Sequence, residues 1–149
     1  MHDLFDVTSR QSILERLDRL DATSVRQWGK MDAAQMCAHC ATALEMGTGD
    51  KPRKHQLIGR LLGPLVRRKM LGEEPFPRNS PTDPTFVFTD PRDFAVEKRR
   101  LQAVIALFVV RGPARAAEAT HSFLGRLSGE EWGRMMGKHL DHHLRQFGL

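Results

Sequence analysis

Apolar residues recur at helical spacing along most of the chain. The first stripe follows Thr8 and Gln11, which have the spacing of a capping box, and it consists of Ile13, Leu14, Leu17 and Leu20. The second follows Asp32 and Gln35, which repeat the capping signature, and it consists of Met36, His39, Cys40, Ala43 and Gly47. We therefore predict two helices in the first third of the chain, and the second carries His39 on its inward face.

Two further stripes predict the helices of the second half. Asp90 followed by Pro91 is typical of a helix start, and the stripe that follows is Phe94, Leu101, Val104, Ile105 and Phe108. Gly112 and Pro113 are predicted to stop this helix. Ser128 and Glu131 form the last capping signature, which opens a helix that runs to Phe147, whereas residues 114–125 fit no single element.

The segment between these pairs of helices has a different composition. Residues 51–72 contain seven basic residues and no acidic one, around the apolar positions Leu57, Ile58, Leu61, Leu62, Leu65 and Val66. The pattern predicts an amphipathic segment that is broken by Gly63 and Pro64. Four prolines then lie between Pro75 and Pro84, which excludes a regular helix and predicts a long loop. Long loops in compact domains often border a site.

Length and composition limit the class of protein. With 149 residues, 40% of them hydrophobic, we expect a single domain over residues 1–149. The net charge of +5 arises from 23 basic and 18 acidic residues spread along the chain, which does not indicate a nucleic-acid-binding protein. No leader-like start and no long uncharged apolar run is present, so we expect a cytoplasmic protein without a transmembrane segment.

Cys37 and Cys40, in the sequence CAHC, have the spacing of a redox pair or of half a zinc site. A redox pair of this kind usually opens a helix after a strand, and no strand is predicted here. Within a helix Cys37 points about 160° away from His39, so these residues do not converge on one ion. Cys40 is about 100° from His39 and could border a site there. We expect both cysteines to pack as small hydrophobic residues.

The last predicted helix contains three of the seven histidines, in the sequence HLDHH. At about 100° per residue, His143 lies about 40° from His139, and His142 lies about 60° to the other side. The face of His139 also carries Trp132, Met136 and Gln146, which indicates that it is buried. Buried neutral imidazoles need partners, and one metal ion can satisfy several of them.

His39 is the natural third ligand, because its helix also turns it toward the core. Three protein nitrogens leave open positions, as in catalytic rather than structural zinc sites, and imidazole also suits nickel, iron or copper. The alternative is a metal-free bundle, because histidine pairs at this spacing also occur on solvated faces. Leu140 follows His139 where a zinc protease requires glutamate, so that motif is absent. Asp141 is expected to face solvent, whereas His121 and His142 are further candidates for the site.

The stretches QMCAHC and HLDHHLRQ resemble the histidine pattern of the DinB/YfiT-like superfamily of metal-binding bundles. The stretches WGKMDAAQMCAHC, LIGRLLGPLVRRKML and HSFLGRLSGEEWGRMMGKHLDHHLRQFG extend the resemblance, to an uncharacterised branch, over nearly the whole chain. It implies an all-α, up-down-down-up four-helix bundle with a long Pro-rich loop and a short extra helix. It also implies a divalent ion held by His39, His139 and His143, and often a homodimer.

The resemblance has consequences for activity as well. Characterised members include transferases and isomerases that use low-molecular-weight thiols such as bacillithiol, mycothiol or glutathione. Many relatives follow the last histidine with Arg-Gly-Gln, whereas here Leu144, Arg145 and Gln146 follow it. We therefore expect Gln146 to contact a metal-bound water or to orient a ligand, although an ordinary helix amide would give the same letters.

These observations predict a metal-dependent enzyme that acts on a small-molecule substrate, with zinc or nickel as the favoured ion and iron or manganese as alternatives. A divalent ion would lower the pKa of a bound water or thiol. No general base is evident, because Glu45 lies near a helix end and Glu130 and Glu131 lie in a capping turn. This favours a thiol-dependent transferase over a hydrolase, and a non-catalytic metal-binding or dimerisation bundle is the third alternative.

The basic segment raises a separate class of function, which is docking to an anionic membrane surface, an acidic protein or nucleic acid. Residues 51–72 include no phenylalanine, tryptophan or tyrosine on which bases could stack, so nucleic acid is not an expected partner.

Overall fold

The computed structural model describes residues 2–51, 54–80 and 82–149, which form five α-helices and one small hairpin. The helices are α1 (Val7–Arg19), α2 (Ala33–Thr48), α3 (Leu57–Leu71), α4 (Phe94–Ala117) and α5 (Gly129–Gln146). Strands β1 (Thr120–His121) and β2 (Gly125–Arg126) pair antiparallel, and a single 3₁₀ turn spans Pro84–Phe86. This architecture confirms the predicted all-α class. Arg53 of the basic segment and Pro81 of the Pro-rich loop lie outside the described residues.

Helices α1, α2, α4 and α5 pack around a common core. Helix α2 lies against α4 and α5, and α5 also contacts α1 and α4. Every residue of α2 except Gln35 is buried, because its many alanines allow the neighbouring helices to approach closely. The largest fully buried side chains of the core include Met36, Leu101, Ile105, Phe108 and Trp132. His39 is therefore placed in the interior by the helix that carries it.

The capping boxes predicted for α2 and α5 are both confirmed. The Asp32 side chain accepts a hydrogen bond from the Gln35 N–H at 2.8 Å, and the Ser128 hydroxyl accepts one from the Glu131 N–H at 3.1 Å. In each case the side chain at the third helical position bonds back to the backbone of the cap.

The predicted starts of α1 and α4 were wrong by a few residues. Helix α1 begins at Val7 because the Asp6 carboxylate accepts the Ser9 N–H, so Thr8 lies in the first turn instead of at the cap. Helix α4 begins at Phe94 because Asp93, and not Asp90, accepts the N–H of Val96. In both helices a neighbouring aspartate, and not the residue predicted from the sequence, accepts the N–H group at the start of the helix.

Helix α3 is the extra helix outside the bundle, and it is continuous where a break at Gly63 and Pro64 was predicted. In a regular helix the N–H of residue 64 would bond to the Arg60 carbonyl, but proline has no N–H. Pro64 is exposed, so water can reach that carbonyl instead. With 15 residues, α3 is longer than α1, which has 13, although a short helix was expected. Gly112 and Pro113 were predicted to stop α4, and they only interrupt it. Gly112 adopts φ 76°, after which the chain resumes a last helical turn that ends at Ala117.

The region predicted to be ambiguous, residues 114–125, contains the end of α4, strand β1 and the turn that leads to β2. No helix among the described residues has both the length and the apolar character that a membrane span requires.

Candidate metal centre

Three histidines from two helices meet in the interior of the bundle. His39 comes from α2, and His139 and His143 come from successive turns of α5. Their ring centroids lie 4.9 Å (His39 to His139), 4.6 Å (His39 to His143) and 4.7 Å (His139 to His143) apart. One ligand atom from each lies within 4.8 Å of the other two, so the group could hold a metal ion. His39 and His143 are buried, whereas His139 retains partial exposure to solvent.

The backbone fixes the tautomer of His39. Its Nδ1 lies 2.9 Å from the carbonyl oxygen of Phe86, in the 3₁₀ turn. A carbonyl oxygen only accepts hydrogen bonds, so Nδ1 of the neutral ring carries the proton and Nε2 carries a lone pair. That Nε2 lies 3.0 Å from Nε2 of His139. The Pro-rich loop therefore orients His39 so that its lone pair points toward the other histidines.

Gln146 orients His143 in the same way. Its Oε1 lies 3.0 Å from Nδ1 of His143, and its Nε2 donates to the carbonyl oxygen of Trp28 at 2.6 Å. The second bond fixes which end of the amide faces the histidine, so Nδ1 of His143 donates and Nε2 is left with a lone pair. Gly29 makes room for this amide, because a Cβ there would lie 2.1 Å from Gln146 Nε2.

The electrostatic surroundings keep all three rings neutral. Burial is the largest cause that lowers the pKa of His39, and it lowers the pKa values of His139 and His143 further. The other histidines of the group act in the same direction, because two imidazolium ions at this distance repel. Neutral imidazoles are the form that binds metals, so no net loss of protons is needed at neutral pH.

Asp141 does not face solvent, so that prediction was wrong. It is 2% exposed, and its carboxylate contacts Arg16 of α1 at 2.8 Å and Arg145 at 2.9 Å. The side of α5 that points away from the histidines is covered by α1, which explains the burial. The ion pairs hold this carboxylate on the far side of the helix from the histidine group.

The Glu45 carboxylate is also paired with basic side chains. Its two carboxylate oxygens contact Arg100 at 2.9 Å and Lys51 at 2.6 Å, and Arg100 extends the network to Glu97. Glu131 caps α5 and pairs with Arg67 of α3. Each of these carboxylates has a structural role, and none of them belongs to the histidine group.

His121 and His142 lie outside that group. Nδ1 of His121 accepts the N–H groups of Phe123 and Leu124, both at 3.1 Å, so this ring shapes the hairpin turn. Burial lowers the pKa of His121 to about 4. The His142 ring packs between the rings of Trp28 and Phe76, with centroids 6.0 and 5.8 Å away, and it borders the site next to His143.

The two cysteines pack in the core. Both are buried and free, and the Cys40 thiol contacts the Met36 sulfur at 3.6 Å. Burial raises the pKa of Cys37 to about 12 and raises the pKa of Cys40 well above its ordinary value. Both therefore remain thiols at neutral pH, which is the inert form for nucleophilic or metal-binding roles.

The contributions of Phe86 and Trp28 were not predicted from the sequence. Both act through backbone carbonyl oxygens, which every residue possesses, so no residue type marks them. The one available signal was the Pro-rich loop, whose turn at Pro84–Phe86 supplies the acceptor for His39.

The model of a family described as "Protein of unknown function (DUF1569)" matches residues 2–148. No curated protein and no solved structure matches the chain.

Proposed function

We propose that this chain, which belongs to the DUF1569 family of proteins of unknown function, binds a divalent metal ion through Nε2 of His39, His139 and His143. The observation that carries the proposal is the pair of hydrogen bonds that fix Nδ1 of His39 and of His143 as donors. Both Nε2 lone pairs are then directed into the histidine group, which also includes Nε2 of His139. A cation is the natural partner of lone pairs that converge in a buried site.

The arrangement supports assignment to the DinB/YfiT-like superfamily. A histidine on the second helix and two on the last, four residues apart, converge within a mostly helical bundle, as the resemblance implies. On the same basis we propose a homodimer, with zinc or nickel as the favoured ion and iron or manganese as alternatives.

We further propose that the protein is a metal-dependent, thiol-using transferase. A bound divalent ion supplies Lewis acidity, which lowers the pKa of a thiol or water beside it. The partial exposure of His139 offers a small molecule an approach to the site. The pairing of Glu45, Glu97 and Asp141 with arginine or lysine leaves these carboxylates unsuited to act as a general base. This favours a thiol, because a thiol is far more acidic than water and depends less on a base to lose its proton.

Cobalt substitution tests this proposal. Protein stripped with a chelator and loaded with Co²⁺ should show visible absorption bands of a nitrogen-ligated ion, and added glutathione should produce a thiolate-to-cobalt band in the near ultraviolet. The variant Cys37→Ala/Cys40→Ala is the control, because the band must persist without the protein's own thiols. Visible bands without a response to thiol would contradict thiol chemistry and retain the metal site. The absence of cobalt bands would contradict the site itself.

A further inference from the structure

The outer side of α3 is apolar and uncovered. Leu57, Leu61 and Leu65 are 79%, 77% and 78% exposed, and Ile58 and Leu62 extend the same surface. At about 100° per residue these five side chains share one side of the helix, and we call them the apolar face of α3. Exposed apolar surfaces of this kind mark sites of interaction.

Close packing on the opposite side holds this orientation. Gly59 and Gly63 are the buried residues of α3, and a Cβ at Gly59 would lie 2.3 Å from the carbonyl oxygen of Phe123 in the hairpin turn. Only glycine allows the helix to approach the backbone this closely. Turning α3 to bury its leucines would place branched side chains where the hairpin leaves no room.

Polar contacts from α5 hold the C-terminal half of α3 as well. Nη2 of Arg67 donates to both carboxylate oxygens of Glu131, at 2.7 and 2.8 Å. Lys138 is buried, and its Nζ donates to the carbonyl oxygens of Lys69, Met70 and Gly72 at 3.0, 3.2 and 2.8 Å. These bonds satisfy carbonyls at the end of the helix. The apolar face is thus presented outward by specific contacts on the inner side.

Positive charge surrounds the apolar face. Lys54, Arg60, Arg68 and Lys69 are exposed, and the sequence has no acidic residue between Lys51 and Gly72. Helices that lie in the interface of anionic membranes combine leucines with lysine and arginine in this manner. The long basic side chains keep their apolar stems beside the leucines while their charges reach the headgroups.

Two other occupants fit less well. A second copy that packed on the same face around a twofold axis would bring the exposed basic residues of one α3 close to those of the other, and the like charges would repel. Nucleic acid would match the charges, but it would leave Leu57, Leu61 and Leu65 without a partner. An anionic lipid surface accepts both the charges and the leucines.

We propose that α3 docks the protein on the surface of anionic lipid membranes, with its apolar face at the boundary between headgroups and acyl chains and Arg60, Arg68 and Lys69 at the lipid phosphates. The attachment is peripheral. It does not depend on the metal site, so it can be tested on the full chain whether or not a metal is bound.

Vesicle sedimentation of the full chain tests the proposal. The protein should sediment with phosphatidylcholine vesicles that contain about one third phosphatidylglycerol, and binding to pure phosphatidylcholine should be at least about tenfold weaker. Raising the salt from about 0.1 to about 0.5 M should weaken binding. Leu61→Ser/Leu65→Ser and Arg68→Glu/Lys69→Glu should each reduce binding about tenfold or more.

Matched variants control for general effects. Val25→Ser/Val110→Ser removes two apolar side chains that are 80% and 84% exposed, and Arg19→Glu/Arg99→Glu makes the same change in net charge at other exposed positions. Both should bind vesicles like the unchanged protein.

Equal loss of binding in the controls, or no sedimentation with anionic vesicles, would overturn the proposal. Binding to polyglutamate without binding to vesicles would assign the face to an acidic protein. A dimer that Leu61→Ser/Leu65→Ser disperses would assign it to a second copy, and either result would also overturn the proposal.

Discussion

At the scale of single residues, Gln146 determines which atom His143 presents to the site. Its amide accepts from His143 Nδ1 and donates to the Trp28 carbonyl, so neither group can rotate without losing a buried hydrogen bond. The sequence predicted that Gln146 contacts a metal-bound water or orients a ligand. Its role as a support for the metal-binding histidine remains a prediction.

Replacing Gln146 by alanine should lower metal affinity about 10- to 100-fold, because His143 loses the partner that fixes its ring and tautomer. Gln146→Glu should retain most of the affinity, because its carboxylate still accepts from Nδ1. Competition with a chelating dye measures both. Gln102→Ala, a change of a partly exposed glutamine on α4, is the matched control. Unchanged affinity in Gln146→Ala would show that the hydrogen bond does not support a ligand.

His121 should make the fold sensitive to acid. Burial lowers its pKa to about 4 in the folded protein, whereas the unfolded chain has the ordinary value near 6.5. With respect to this group, the folded state therefore has its full stability above about pH 6.5 and becomes less stable as the pH falls toward 4. At about pH 5, protonation of this group in the unfolded chain lowers the free energy of unfolding by about 2 kcal/mol.

Urea unfolding of the chelator-treated protein at about pH 7.5 and about pH 5 measures this effect. His121→Asn keeps an acceptor for the N–H groups of Phe123 and Leu124 but cannot be protonated. Its loss of stability between the two pH values should be smaller than that of the unchanged protein by about 2 kcal/mol. Equal losses would mean that His121 does not titrate as its burial implies.

At the scale of elements, the sequence predicted most helices but not every boundary. The capping boxes of α2 and α5 were readable because both partners of each box lie within four residues. The start of α4 could not be predicted exactly, because Asp90 and Asp93 are both good capping residues and only the folded chain distinguishes them. Continuity of α3 through Pro64 depends on exposure to solvent, which the pattern of letters does not contain.

The docking of α3 on the hairpin depends on Gly59. Gly59→Ala should destabilise the protein by about 1–3 kcal/mol, because its Cβ would lie 2.3 Å from a backbone oxygen that cannot move independently. Gly63→Ala is the matched control, since its Cβ would lie 3.1 Å from the same oxygen. There, the gain of about 1 kcal/mol in helix propensity offsets the smaller crowding. Urea unfolding measures both, and equal effects would contradict this packing.

At the scale of the whole molecule, the histidine group joins parts of the chain that are 100 residues apart, from His39 to His139. Periodicity placed each histidine on an inward face, and the fold brings those faces together through the contact of α2 with α5. The burial of Asp141 could not be predicted in this way, because a helical wheel gives directions around one helix and not which neighbour covers each side. The carbonyl groups of Phe86 and Trp28 likewise become part of the site only in the folded chain.

The proposed metal site is tested by the metal content of untagged protein, measured by plasma mass spectrometry beside that of His143→Ala. We expect close to one divalent ion per chain, of zinc, nickel, iron or manganese, and its loss in the variant. His142→Ala, which removes the adjacent histidine outside the group, should retain the ion. The absence of metal from both forms, even after reconstitution, would contradict a metal site at His39, His139 and His143.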